Sequence, residues 1–172
     1  MLTFKSSIMK IKFTFLIILS TFIIQSCDDD KQTADKTYDL INDEFPEAQA
    51  EVRGVLDGIF KSIQNKDADE LISNHIYGAK FTEFRDSEAR TGSTENEQYE
   101  RGFVGAISAF EYELEDLKVD VFGDVALATF HADFRPTIGA DQLQIWGSVT
   151  LVFVRVDDTW KITHEHFSPL NK

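Results

Sequence analysis

Trp160-Lys161-Ile162-Thr163-His164-Glu165-His166-Phe167-Ser168 is the stretch whose reading organises the rest of the chain. Successive side chains of a strand point to opposite sides of its sheet. Strict alternation therefore predicts Trp160, Ile162, His164 and His166 on one face, and Lys161, Thr163 and Glu165 on the other. The first face begins with an aromatic and an aliphatic residue and ends in two imidazoles. Such a strand is expected at the rim or floor of a cavity, with the remaining elements as its walls.

The neighbouring segments read as further strands. Leu143 to Val156 contains Val149-Thr150-Leu151-Val152-Phe153-Val154, nearly continuous in apolar residues, which predicts a strand covered on both faces. Helices are expected on one side and a second copy of the same sheet on the other, giving a homodimer; a covering loop is the alternative. Tyr112 to Phe122 turns at Gly123-Asp124 into Val125 to Arg135, Pro136 to Asp141 makes a longer turn, and Asp157-Asp158 leads into the last strand. The second half is thus predicted to be an antiparallel meander.

Helices are predicted ahead of it. Val52, Val55, Leu56, Ile59, Phe60 and Ile63 recur at three- and four-residue steps, the signature of one helix face running from Glu47 to about Asn65. Asp67-Ala68-Asp69-Glu70 reads as a capping box for a short second helix, and Thr94-Glu95-Asn96-Glu97 as another. The latter opens a third helix predicted to carry Tyr99, Phe103, Ile107 and Phe110 inward. A short strand is expected around Lys80 to Arg85. Three helices followed by a curling sheet predict an α+β domain over residues 47–172.

The amino-terminal stretch is different in kind. Lys5, Lys10 and Lys12 precede an apolar run from Phe13 to Ile24, patterned like a secretion signal and shorter than the roughly 18 to 20 residues of a membrane-spanning helix. The run closes on Ile24-Gln25-Ser26-Cys27, which holds the single cysteine of the chain and resembles the lipoprotein box of bacteria. Gln25 departs from the small residue usual there. The resemblance implies a signal peptide over 1–26, lipidation of Cys27, and an acidic tether over 27–46 that opens with Asp28, Asp29 and Asp30. The expected location is the bacterial cell envelope, as a membrane-anchored lipoprotein, at the outer membrane or cell surface ahead of the inner membrane.

Loss of residues 1–26 would remove three lysines and no acid, leaving 14 basic against 30 acidic residues and moving the net charge from −13 to −16. So negative a domain is not suited to nucleic acid, whose phosphates call for Lys and Arg. With no cysteine past position 27, the domain is expected to rely on burial rather than disulfides.

Three segments in order carry a resemblance to a known family: Gly123-Asp124-Val125-Ala126, Trp146-Gly147-Ser148-Val149-Thr150-Leu151-Val152-Phe153, and Trp160-Lys161-Ile162 with His164-Glu165-His166-Phe167-Ser168. From about Glu47 to Ser168 the chain resembles the nuclear transport factor 2-like superfamily, in its SnoaL-like branch. The resemblance implies a curved sheet wrapped around helices into a cone with an apolar interior. Members include ketosteroid isomerases, polyketide cyclases and dehydratases, and many that only bind or assemble. The general-base aspartate and oxyanion donors of the isomerases match no position of this sequence.

Candidate chemistry gathers on the strands. His164 and His166 lie roughly 6 to 7 Å apart by strand rise, and an imidazole can act as general acid or base near neutral pH. Equally, either can shape the mouth of the cone without reacting. A His-x-His pair can also share a metal, but no third ligand is legible, so neither metal nor cofactor is expected. Trp146 with Ser148 and Thr150 offers a flat wall and two hydroxyls; Trp160, Tyr99, Phe103 and His131 are further expected pocket residues. His131 and Asp133 share a face, an arrangement that can fix an imidazole tautomer. The leading expectation is a module that binds a small apolar or aromatic molecule. The alternatives are an isomerase-, dehydratase- or cyclase-like enzyme using a His or carboxylate, and a dimerising envelope protein with a filled cavity.

Overall fold

The computed structural model describes residues 38–171. Cys27, the signal segment and most of the expected tether lie outside the described residues. Pro46 opens α1 (Pro46–Asn65), where its fixed φ and missing N–H suit the first helical turn. Val52, Leu56, Ile59, Phe60 and Ile63 are all buried, as their spacing predicts. Lys66, at φ 60°, closes the helix in a left-handed cap.

Asp67 caps α2 (Ala68–Ser73), its carboxylate accepting the Glu70 N–H at 3.0 Å. The reciprocal half of the predicted box is absent among the described residues. Instead the Asp67 N–H donates to the Ser62 carbonyl at 2.8 Å.

α3 (Ser93–Ala106) differs from its prediction at both ends. The return bond of its cap lies two residues upstream of the predicted one, from the Gly92 N–H to Glu95 Oε2 at 3.2 Å. Glu97 pairs with Arg101 at 2.9 Å instead. At the other end, Ile107 and Phe110 are buried but belong to β2 (Ile107–Phe122). A register shift between Ile107 and Ala109 marks a bulge, which lets residues three apart share a face of a strand. That three-residue step imitates helical spacing.

β2 turns at Gly123-Asp124 into β3 (Val125–Ile138), with Gly123 at φ 70°, a conformation glycine adopts without strain. The short β4 (Asp141–Gln142) pairs with the end of β3, and β5 (Ile145–Val156) follows. Asp157 and Asp158, at φ 49° and 59°, form a turn with two positive φ angles leading into β6 (Thr159–Pro169). With β1 at Thr82–Arg85, the order across the sheet is β1-β6-β5-β3-β2. The predicted meander is present, and β1 joins it parallel to β6, so the curved, open sheet is mixed. The chain reaches that edge because the Ile76 N–H donates to the Ile162 carbonyl and the Ile162 N–H to that of Asn74, each at 2.8 Å.

The core lies between α1 and one face of the sheet. Ala126, Ala128, Phe130 and Ala132 of β3 and Val149, Leu151 and Phe153 of β5 are buried there with Leu56 and Phe60. Thr150, Val152 and Val154, on the other face of β5, are half-buried.

The alternation expected throughout β6 breaks at Thr163. Val152 pairs with His164 but Phe153 with Ile162, so Thr163 is the extra residue of a bulge. Trp160 and Ile162 point inward, at 3% and 0% exposure. Beyond the bulge the phase inverts. Glu165 and Phe167 pair with inward Leu151 and Val149, while His164 and His166 pair with outward Val152 and Thr150. The predicted common face of Trp160, Ile162, His164 and His166 is therefore divided, and the inward ionisable residue is Glu165.

Candidate functional site

Helices α1 and α3 and the inner face of the sheet enclose a chamber of about 240 Å³. Its body is apolar, with Leu56, Ile59 and Phe60 from α1 and Phe110, Phe130 and Phe134 from the sheet. Ring pairs set its walls: Phe60 stacks on Tyr112 at 4.3 Å, and Phe110 meets Phe134 at 5.6 Å. The volume falls below the roughly 300 Å³ at which pockets for drug-sized ligands begin, so the space suits a smaller molecule. Phe167 completes the wall by lying against Gly147, where any Cβ would fall 2.1 Å from its ring.

One end of the chamber is polar. His75, 8% exposed, places Nδ1 3.1 Å from the Leu71 carbonyl and Nε2 3.0 Å from Glu165 Oε1. A carbonyl only accepts, so Nδ1 carries a proton; a second proton must then lie between Nε2 and Glu165. Burial lowers the His75 pKa, but the hydrogen bond and charge of Glu165 outweigh it and hold it above its ordinary value. Burial raises Glu165, but the His75 bond and charge, with help from Asn96, hold it low. Both directions describe an imidazolium–carboxylate pair. Asn96 Nδ2 donates to Glu165 Oε2 at 2.9 Å, and the Tyr77 hydroxyl donates to Asn96 Oδ1. Tyr77 stacks on His75 at 5.1 Å. Burial, then the charge of Glu165, pushes the Tyr77 pKa upward, which keeps it a donor.

The parallel pairing of β1 with β6 sets Glu83 beside Glu165 and Arg85 beside Phe167. Glu83 is bound by the Arg85 guanidinium and by the Thr91 hydroxyl, the latter at 2.8 Å. Arg85 also sits 3.1 Å from the centre of the Tyr99 ring, a cation–π contact. Glu100 borders the same space from α3. Its side chain makes no hydrogen bond among the described residues. Burial, then the charge of Glu165, pushes its pKa up to about 8, so at neutral pH it holds a proton. A half-buried acid that titrates near neutrality can give or take a proton, or donate a hydrogen bond to a ligand oxygen.

The residues singled out in the sequence are distributed over two faces. Tyr99, Phe103 and His166 border the chamber. Trp160 lies in the core, with its indole N–H donating to Glu51 Oε2 at 2.9 Å, and it does not line the chamber. Trp146, Ser148, Thr150 and His131 lie on the outer face, where His131 Nδ1 is 3.1 Å from Ser148 Oγ. His164 is there too, with Nδ1 2.8 Å from Thr82 Oγ1. Phe84 touches both imidazoles of β6, with ring centres 6.1 and 6.0 Å away. Asp133 is bonded to Arg135 and Gln144 rather than to His131. Among the described residues, no three His, Cys, Asp or Glu side chains are grouped to hold a metal.

Sequence reasoning passed over His75, Glu83, Arg85, Glu100 and Glu165. One signal was present. Asn96, Glu100 and Val104 recur every four residues along α3, and the outer two are 0% and 2% exposed, which marks the face of Glu100 as inward.

Residues 52–172 match a family model described as a SnoaL-like domain. No curated protein matches the chain. Solved structures do. One is a candidate dehydratase of the nuclear transport factor 2-like family from Streptomyces avermitilis, with a TM-score of 0.67 at 20% identity over 74% of this chain and 99% of that one. A nuclear transport factor 2-like superfamily protein from Salmonella enterica gives 0.65 at 16% identity, over 74% and 94%. A candidate aromatic ring hydroxylase from Novosphingobium aromaticivorans gives 0.64 at 12% identity, over 74% and 92%. At these identities the likeness is one of fold.

Proposed function

The chain belongs to the SnoaL-like domain family, and from that premise we propose that it is an exported, lipid-anchored domain whose chamber binds a small apolar or aromatic molecule. The observation that carries this is an apolar chamber of about 240 Å³ ending in ionisable groups, the usual build of a small-molecule site. Fold alone does not name a reaction, so the reading rests on the chamber. Native mass spectrometry of the protein purified from its own host is expected to show a bound small molecule. A protein that carries none and takes up no small aromatic probe would defeat the reading. The anchor rests on Cys27 and the segment before it; Cys27→Ser is expected to abolish fatty-acid labelling.

A proton-transfer enzyme is the second reading, favoured by Glu100, whose pKa near 8 suits acid–base work at neutral pH. Two of the structural relatives are candidates for a dehydratase and a hydroxylase, and the dehydratase in particular is compatible with it. The test is whether the co-purifying molecule, or a close analogue, is turned over and whether Glu100→Gln stops it.

A homodimer is part of the same proposal. The outer face carries Val152, Val154 and Trp146, all half-buried, with Phe84 41% exposed, an apolar strip that a second sheet would cover. Sedimentation is expected to give twice the monomer mass, and Val152→Lys to halve it.

A further inference from the structure

We propose that the polar end of the chamber takes a protonated amine carried on a small apolar body, with Glu100 as its carboxylate partner. This inference rests on the chamber being a binding site. It starts from the way the carboxylates there are divided. Glu165 is held by His75 and Asn96, and Glu83 by Arg85 and Thr91. Of the two other carboxylates at the chamber, Asp86 is exposed, whereas Glu100 is half-buried and its side chain makes no hydrogen bond among the described residues.

The groups that face Glu100 come from every element around it. They are Tyr99 from its own helix, His75 and Tyr77 from the segment after α2, Glu83 and Arg85 from β1 with Asp86 just past it, and Glu165 and His166 from β6. Two cations therefore stand against three carboxylates before Glu100 is counted. An anionic ligand would enter against that field. A cation would enter with it, and the proton on Glu100 already takes the place of one. Burial and the charge of Glu165 hold that proton; the charge of Glu165 favours an ammonium in the same place, against the desolvation that burial imposes on both charges of the new pair.

The walls suit such a ligand. Tyr99 and Phe103 stack with centres 6.3 Å apart, and Tyr99 already bears the Arg85 guanidinium on its face. Aromatic faces attract cations, and the chamber beyond them is apolar. Binding is then an exchange: the ligand ammonium pairs with the Glu100 carboxylate, and the displaced proton leaves to solvent. One proton is released for each molecule bound. Affinity rises about tenfold per pH unit below the Glu100 pKa and levels off above it.

The test is calorimetry of the purified protein with benzylamine, benzyl alcohol and benzoate, at pH 6.5 and 7.5 and in buffers of different protonation enthalpy. Benzylamine is expected to bind tighter than benzyl alcohol at pH 7.5, with Kd falling several-fold from pH 6.5 to 7.5 and about one proton released. Benzoate is expected to bind least. Glu100→Gln is expected to lose the amine's advantage and the pH dependence together. Benzyl alcohol binding as tightly as benzylamine would overturn the inference and leave the small-molecule reading intact. An amine preference unchanged in Glu100→Gln would overturn the role given to Glu100. No binding of any of the three would overturn both.

Discussion

Nε2 of His75 and Oε1 of Glu165 lie 3.0 Å apart across 90 residues of sequence, joining the end of α2 to the last strand. Removing one partner of a largely buried pair strands the charge of the other, at a cost of about 3 kcal/mol. Glu165→Ala is expected to lose about that much in denaturant melts and to bring the His75 pKa down, since burial then acts with less opposition. An imidazole that titrates unchanged by NMR would refute the assignment.

The pair also has a pH window. His75 is raised, so its contribution is complete below its unfolded value of 6.5 and is lost as pH rises through its folded value. Glu165 is lowered, so its contribution is present above 4.5 and is lost as pH falls through its folded value. Against Glu165→Ala, the wild-type advantage is expected to be largest between about pH 4.5 and 6.5.

Glu100 acts in the opposite sense to Glu165. Its pKa rises from 4.5 to about 8 on folding, so over that range the folded state holds a proton that the unfolded state has lost. Stability then falls with rising pH, by at most about 1.4 kcal/mol per pH unit. Glu100→Gln is expected to flatten the slope, with a gain in melting temperature that grows from pH 5 to pH 8. A constant difference would count against the raised pKa of Glu100.

Gly147 leaves room for the Phe167 ring and for nothing else. Gly147→Ala is expected to push that ring from its place and to cost about 1 to 3 kcal/mol, the range for overpacking. Adding Phe167→Leu should recover part of the loss in the same melts. No recovery would place the damage in the backbone.

Asp158 sits at φ 59°, a region that favours glycine. Asp158→Gly is expected to raise stability by up to about 1 kcal/mol. A loss instead would mean that the Asp158 side chain holds the turn.

The sequence disclosed elements whose signal is local and periodic. α1 follows from Val52, Leu56, Ile59 and Ile63, and the β2–β3 hairpin from Gly123. What it hid were departures from period, and pairings between distant segments. The bulge near Ser108 spaced Ile107 and Phe110 like a helix, and the one at Thr163 exchanged the faces of His164 and Glu165. The parallel edge that brings Glu83 and Arg85 to Glu165 spans about eighty residues, and no local pattern announces it. The polar end of the chamber is built almost wholly from such departures and pairings.

Thr163 acts as a splice between two reading frames laid along one strand. Upstream of it the odd positions are written for solvent and the even ones for the core; downstream the assignments are exchanged. A substitution changes one letter on one face, whereas losing the extra residue itself would heal the splice into one unbroken alternation and leave Glu165 inward and His166 outward. The faces beyond the splice are therefore held by their pairing with β5, and the strand can shorten by one residue there without moving the carboxylate out of the chamber.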